Sequence, residues 1–149
     1  MAEGESGGVL VIVKYSKLYM SIFKDKTLMI TGGTGSFGNA VLNRFLATDI
    51  KEIRIFSRDE KKQDDMRHEY QAKYPDVAHK IKFFIGDVRS LESCRSAMPG
   101  VDYIFHAAAL KQVPSCEFFP MEYIQTSHNC LTLNLITPNR YAFRSTIAA

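Results

Sequence analysis

The feature that most constrains this chain is a glycine cluster with a different residue pattern on either side of it. Thr27, Leu28, Met29 and Ile30 form a short apolar run, and Thr31-Gly32-Gly33-Thr34-Gly35-Ser36-Phe37-Gly38 follows. Phe37, Val41, Leu42, Phe45 and Leu46 then recur at helical spacing. An apolar run that turns through glycines into a 3.6-residue period predicts strand, tight turn and helix. The cluster contains GxGxxG at Gly33, Gly35 and Gly38, and GxxGxxG at Gly32, Gly35 and Gly38. Glycine permits the turn and lets backbone N–H groups approach a pyrophosphate, whose charge the helix N-terminus stabilises. A bare glycine-rich turn is the alternative, and the position between strand and helix argues against it.

The rest of the chain repeats this alternation. Glu52 to Phe56 predicts a second strand, and Ser57 with Glu60 three positions on predicts a capping box opening a charged helix to about Tyr74. Ile81 to Ile85 predicts a third strand. A short helix from about Ser90 to Met98 follows, with Leu91, Cys94 and Met98 on one face and Pro99-Gly100 stopping it. Val101 to His106 predicts the fourth strand. Strands alternating with helices imply right-handed crossovers, so the expected class is α/β: a doubly wound parallel sheet of about four strands, order 3-2-1-4. Pro114 and Pro120 break the chain before a helix starting near Met121. Residues 1–8, MAEGESGG, have no apolar period and read as disordered.

Composition narrows the function classes. The 149 residues are 46% apolar and 23% charged, with 19 basic against 16 acidic side chains and a formal charge of +3. That suits one globular domain, and the charge is too small and too mixed to imply a nucleic-acid partner. No apolar stretch approaches the length of a membrane span, which argues against a membrane partner. Val9 to Val13 is short and follows Glu3 and Glu5, unlike the basic start of a signal peptide. Cys94, Cys116 and Cys130 form no CxxC pair and, even with His106 and His128, lack zinc-ligand spacing. They read as free thiols in a reducing cytoplasm, with no metal. Residues 123–149 carry two charged side chains, Arg140 and Arg144, fewer than the outer face of a surface helix normally needs.

Parallel sheets bind ligands outside the carboxyl ends of their strands, so those positions hold the candidate site. The second strand ends Phe56-Ser57-Arg58-Asp59-Glu60-Lys61-Lys62. A carboxylate directly at that end would favour NAD. Here Arg58 comes first, and a guanidinium pairs with a ribose 2′-phosphate in fork geometry, which favours NADP. The alternative places Arg58 and Lys62 on a solvated helix face. Gly86-Asp87-Val88 ends the third strand where an acid and an apolar residue meet an adenine, and a turn or cap role for Asp87 is the alternative. His106-Ala107-Ala108-Ala109 ends the fourth, with side chains small enough for a cofactor to lie against the backbone. His106 reads as a pocket wall or a satisfied histidine rather than a base.

Taken together, TGGTGSFG, FSRDEKKQDD, GDVR and HAAALKQVPSCEFFPME resemble the N-terminal half of the UDP-N-acetylglucosamine 4,6-dehydratases of bacterial polysaccharide biosynthesis. These form a branch of the extended short-chain dehydrogenase/reductases. The resemblance covers roughly Met20 to Thr126, and SRDEKKQ and AAALKQVPSCEF separate the branch from generic sugar-nucleotide epimerases. It implies a Rossmann-type domain in which Thr34, Gly35, Ser36 and Phe37 hold the pyrophosphate of NADP, with Gly32 and Gly38 completing the loop. Ser57, Arg58, Asp59 and Lys62 would read the phosphorylated ribose. Asp87 and Val88 would line the adenine pocket, Ala107 the ribose or nicotinamide side, and Lys111 would reach both cofactor and nucleotide sugar. The alternative for Lys111 is an exposed loop lysine. In such enzymes NADP⁺ takes hydride from C4 of the hexose, the ketone acidifies C5, water leaves across C5 and C6, and hydride returns to C6. Some members also invert C5. The resemblance further implies a cytoplasmic homo-oligomer supplying capsule or O-antigen.

The ends of the chain depart from that pattern. The chemistry uses a tyrosine whose pKa is lowered by a lysine four positions later. No Tyr-x-x-x-Lys occurs here, and the last lysine is Lys111. After Thr126 the chain reads Ser127-His128-Asn129-Cys130, where the family has an asparagine, a glycine and a long apolar helix. The expected organisation is an extension over 1–19, an NADP-binding half over 20–126 truncated before the C-terminal strands, and a divergent tail over 127–149. The expected function is the NADP(H)-binding portion of a nucleotide-sugar 4,6-dehydratase, with no catalytic residue and no turnover alone, and at best weak NADP⁺ binding. A stand-alone NADP-sensing module and a fragment without function stay open as alternatives. The edge beside the fourth strand is expected to lie exposed.

Overall fold

The computed structural model describes residues 22–108, Met121 and the strand at 141–144. Among the described residues four strands and three helices follow the expected alternation, β1 (Thr27–Thr31), α1 (Ser36–Leu46), β2 (Glu52–Ser57), α2 (Glu60–Lys73), β3 (Ile81–Ile85), α3 (Leu91–Ala97) and β4 (Tyr103–His106), and a further strand, β5 (Tyr141–Arg144), lies in the tail. A 3₁₀ turn, Ala78–Lys80, precedes β3. The sheet order is β3-β2-β1-β4-β5, and every pairing is parallel. The expected order 3-2-1-4 therefore holds. The tail supplies a fifth strand to it, and the far side of β4 is paired rather than exposed.

A parallel sheet must be covered on both faces, and the alternation of side chains along the strands supplies both. Leu28 and Ile30 of β1 and Ile53 and Ile55 of β2 turn to one face, where Leu42 and Leu46 of α1 and Met66 and Tyr70 of α2 cover them. Met29, Phe56 and Ile104 turn to the other face and meet Cys94 and Ala97 of α3. Leu42 is fully buried, a contribution of roughly 1.5–3 kcal/mol relative to exposure. The connections through α1 and α2 run along one face and the connection through α3 returns on the other. The strand order accordingly reverses between β1 and β4, which leaves a crevice at their carboxyl ends.

One local expectation changes. Ser57 does not cap α2: it is the last residue of β2, pairs with Ile85, and its hydroxyl accepts from Gln63 Nε2 at 3.1 Å. The cap is Asp59, whose side chain accepts the Lys62 backbone N–H. A side chain held in a ladder has the wrong place and direction to cap a helix starting three residues later. The predicted start of α3 is met, with Ser90 accepting from the Ser93 N–H at its N-cap. Met121 is helical, and the rest of the helix predicted from it lies outside the described residues.

Candidate functional site

Three backbone hydrogen bonds carry the ladder past the strand ends and fix the floor of the crevice. Gly32 N donates to Phe56 O at 2.9 Å, Ala107 N to Thr31 O at 3.0 Å, and Gly86 N to Ser57 O at 3.0 Å. Gln63, buried in the first turn of α2, ties two strand ends together by donating to Ser57 O at 3.2 Å and Phe84 O at 2.9 Å. Above this floor lies a cavity of about 580 Å³. Its walls are the β1–α1 loop, the β2–α2 junction, the end of β3 and the two residues after β4.

The loop glycines answer to different demands. Gly32 has φ +68° and packs so closely on the end of β4 that a Cβ there would lie 2.8 Å from Ala108 N. A Cβ on Gly38 would lie 2.5 Å from Gly33 Cα, so only glycine lets α1 close on its own turn. Gly35 differs: its φ is an ordinary −80°, and the nearest atom to a Cβ would be Gly32 O at 3.4 Å. The fold does not demand glycine at that place, whereas a ligand pressed against the backbone would.

The start of α1 fits an anion for a second reason. Its N-cap, Gly35, provides no side-chain cap, and its first turn holds no acidic residue. By contrast, Asp59 and Ser90 cap α2 and α3. Uncapped N–H groups and the helix dipole together place the equivalent of roughly half a positive charge at the cavity wall. Phe37 supports this turn by packing its ring 5.4 Å from that of Phe105.

The opposite wall is rich in charge. Arg58 and Lys62 are about two-thirds exposed, and Lys62 Nζ lies 3.5 Å from Asp59 Oδ2. The Lys62 backbone N–H holds the Asp59 carboxyl below its ordinary range. Asp87 accepts from the Arg89 backbone N–H at 2.9 Å and from the Arg89 side chain, which holds its carboxyl low as well. The turn role considered for Asp87 is present, since its carbonyl accepts from Ser90 N at 3.0 Å. With Arg58, Lys62 and Arg89 against Asp59 and Asp87, the wall carries one net positive charge.

Of the residues expected at the site, Gly32, Thr34, Gly35, Ser36, Phe37, Gly38, Ser57, Arg58, Asp59, Lys62, Asp87, Val88 and Ala107 all line this one cavity. Lys111 lies outside the described residues. His106 is 8% exposed and does not line the cavity, and its Nδ1 lies 2.6 Å from Thr31 Oγ1. Gly86 and Ala108, from the segments expected at the ends of the third and fourth strands, also line the cavity, and so do Phe56 and Arg89, to which the sequence assigned no role. The signal for Arg89 was its place two residues after Asp87, the spacing at which an aspartate carboxylate accepts from a backbone N–H. A second groove, about 400 Å³, lies at the outer edge of the sheet, lined by Arg67, His79 and Lys82 among others.

A parallel doubly wound sheet with a glycine-loop cavity at its topological switch point is a Rossmann-like domain. The sequence family described as polysaccharide biosynthesis protein matches residues 28–138, and the chain belongs to that family. The UDP-glucose 4-epimerase of Rickettsia typhi is 66% identical over 110 residues, covering 71% of this chain and 30% of that protein. The chain thus spans under a third of the length of this relative. Among solved structures, Pen from Bacillus thuringiensis is 34% identical with a TM-score of 0.71, over 82% of this chain and 37% of Pen. The Bordetella bronchiseptica enzyme WbmF, solved with NAD⁺ and UDP, superposes with a TM-score of 0.62 at 16% identity, over 83% of this chain and 36% of WbmF, and shows the fold alone. Among the described residues no helix is long and apolar enough to cross a membrane.

Proposed function

We propose that residues 20–126 are the NADP(H)-binding portion of an enzyme that modifies a UDP-linked hexose for polysaccharide synthesis. The observation that carries this reading is the pairing of an uncapped α1 N-terminus with Arg58 across one cavity. The first suits a pyrophosphate and the second a ribose phosphate. Thr34 to Phe37 would bind the pyrophosphate through backbone N–H groups, Arg58 and Lys62 the 2′-phosphate, and Asp87 and Val88 the adenine. Ala107 leaves room for the nicotinamide ribose, and Lys111 is proposed to meet both cofactor and sugar. The bound dinucleotide supplies hydride transfer at a sugar carbon.

The reaction we favour for the enzyme is 4,6-dehydration of UDP-N-acetylglucosamine, supported by the SRDEKKQ and AAALKQVPSCEF segments. The name of the Rickettsia typhi relative favours a second reading, inversion at C4 of UDP-glucose. Both reactions open with removal of hydride from C4, so the demands on this portion are the same. Neither is expected of the 149 residues alone, which hold no Tyr-x-x-x-Lys to move the C4 hydroxyl proton.

The test is a titration of the chain and of Arg58→Ala with NADP⁺ and NAD⁺. Loss of one charge-assisted contact to a phosphate predicts that the substitution weakens NADP⁺ about tenfold more than NAD⁺. Equal losses would show that Arg58 does not read the 2′-phosphate.

A further inference from the structure

We propose that Arg89 is a specificity-determining residue of the cavity: by engaging Asp87 it leaves the Arg58 guanidinium available to a phosphomonoester on the ribose. The inference rests on the NADP reading above. Arg89 Nε donates to both carboxylate oxygens of Asp87 at 3.0 Å, its Nη2 reaches Oδ2 at 2.6 Å, and its backbone N reaches Oδ1 at 2.9 Å. Arg58 Nη1 stands 3.8 Å from the same Oδ2, an ion contact too long for a hydrogen bond. Two guanidinium groups thus face one carboxylate, and the one on the nearer backbone, 29% exposed against 66%, holds it. Arg58 makes no hydrogen bond among the described residues.

Removing Arg89 changes the neighbourhood of the ribose in two ways. Asp87 becomes an unoccupied carboxylate within reach of Arg58 and draws that guanidinium onto itself. Its negative charge is also no longer offset beside a phosphate dianion. A ribose bearing a 2′-hydroxyl carries no charge for either effect to act on. The consequence therefore falls on the preference between the two dinucleotides and not on the adenosine they share.

The experiment measures the ratio of the NADP⁺ and NAD⁺ dissociation constants for the chain, Arg89→Ala, Arg89→Lys, Arg58→Ala and the double variant Arg89→Ala/Asp87→Asn. Arg89→Ala is expected to shrink the preference for NADP⁺ about tenfold. The double variant should restore most of it, because asparagine offers Arg58 no counter-charge. A general disturbance of the loop weakens both nucleotides and cancels from the ratio, and Asp87→Asn would not repair it. If Arg89→Ala binds neither nucleotide, Arg89→Lys decides: an intermediate ratio supports the inference and an unchanged ratio overturns it. An unchanged ratio in Arg89→Ala, or no recovery in the double variant, overturns it too. A collapse of the ratio in Arg58→Ala with none in Arg89→Ala defeats this inference alone. No preference in the parent chain, or none lost in Arg58→Ala, defeats the NADP reading and this inference with it.

Discussion

Gly35 and Gly38 stand three residues apart in one loop, yet one is required by the protein itself and the other is not. A methyl at residue 38 meets the backbone of Gly33 and Gly32, which cannot rotate away as a side chain would. Gly38→Ala is expected to lower stability by about 1–3 kcal/mol, measured by urea denaturation. A methyl at residue 35 meets only Gly32 O at van der Waals distance. Gly35→Ala is expected to leave stability within about 0.5 kcal/mol while weakening dinucleotide binding. Loss of stability at 35, or none at 38, contradicts the division of roles. The motif alone presents four glycines without ranking them. Which contacts crowd each one depends on Ala108, just past β4, and on the closing of α1, neither of which is written locally.

At the scale of elements, β1 to β4 were legible as short apolar runs, the first three stopped by glycine or a charged turn, and their predicted bounds fall within two residues of those found. The start of α2 was not, since Ser57 and Asp59 both offer a capping oxygen and the Ser57-x-x-Glu60 spacing matches a capping box. Pairing of Ser57 with Ile85 and its bond from Gln63 decide between them, and both involve chain distant in sequence. Arg54 shows the same limit. It is a charged residue between Ile53 and Ile55, and its side chain is only 14% exposed. Its Nη1 donates to Ala97 O and Pro99 O, both at 2.7 Å, and its guanidinium lies 5.2 Å from the Phe84 ring centroid. It thereby ties β2 to the end of α3. Arg54→Leu keeps the apolar contact and strands those carbonyls, with an expected loss of about 2 kcal/mol in chemical denaturation. An unchanged midpoint would mean that water replaces the guanidinium without cost.

At the scale of the whole molecule, the layers and strand order followed from the βα alternation, while the fifth strand did not. Tyr141–Arg144 pairs with β4 across a long connection, and nothing near it in sequence announces a parallel partner. The charge-poor composition of residues 123–149 set that segment apart without saying where it goes. The candidate site is more legible than its edges because doubly wound sheets collect their loops at one end. Residues as distant as Gly32 and Ala107 were therefore predictable neighbours. The central claim, that the cavity at this end holds NADP(H), is tested most directly by titrating the isotope-labelled chain with NADP⁺ and following backbone amide resonances. Saturable shifts are expected at Thr34 to Gly38 and at Ser57 to Lys62. Shifts confined to the groove of Arg67, His79 and Lys82, or none that saturate, would contradict it.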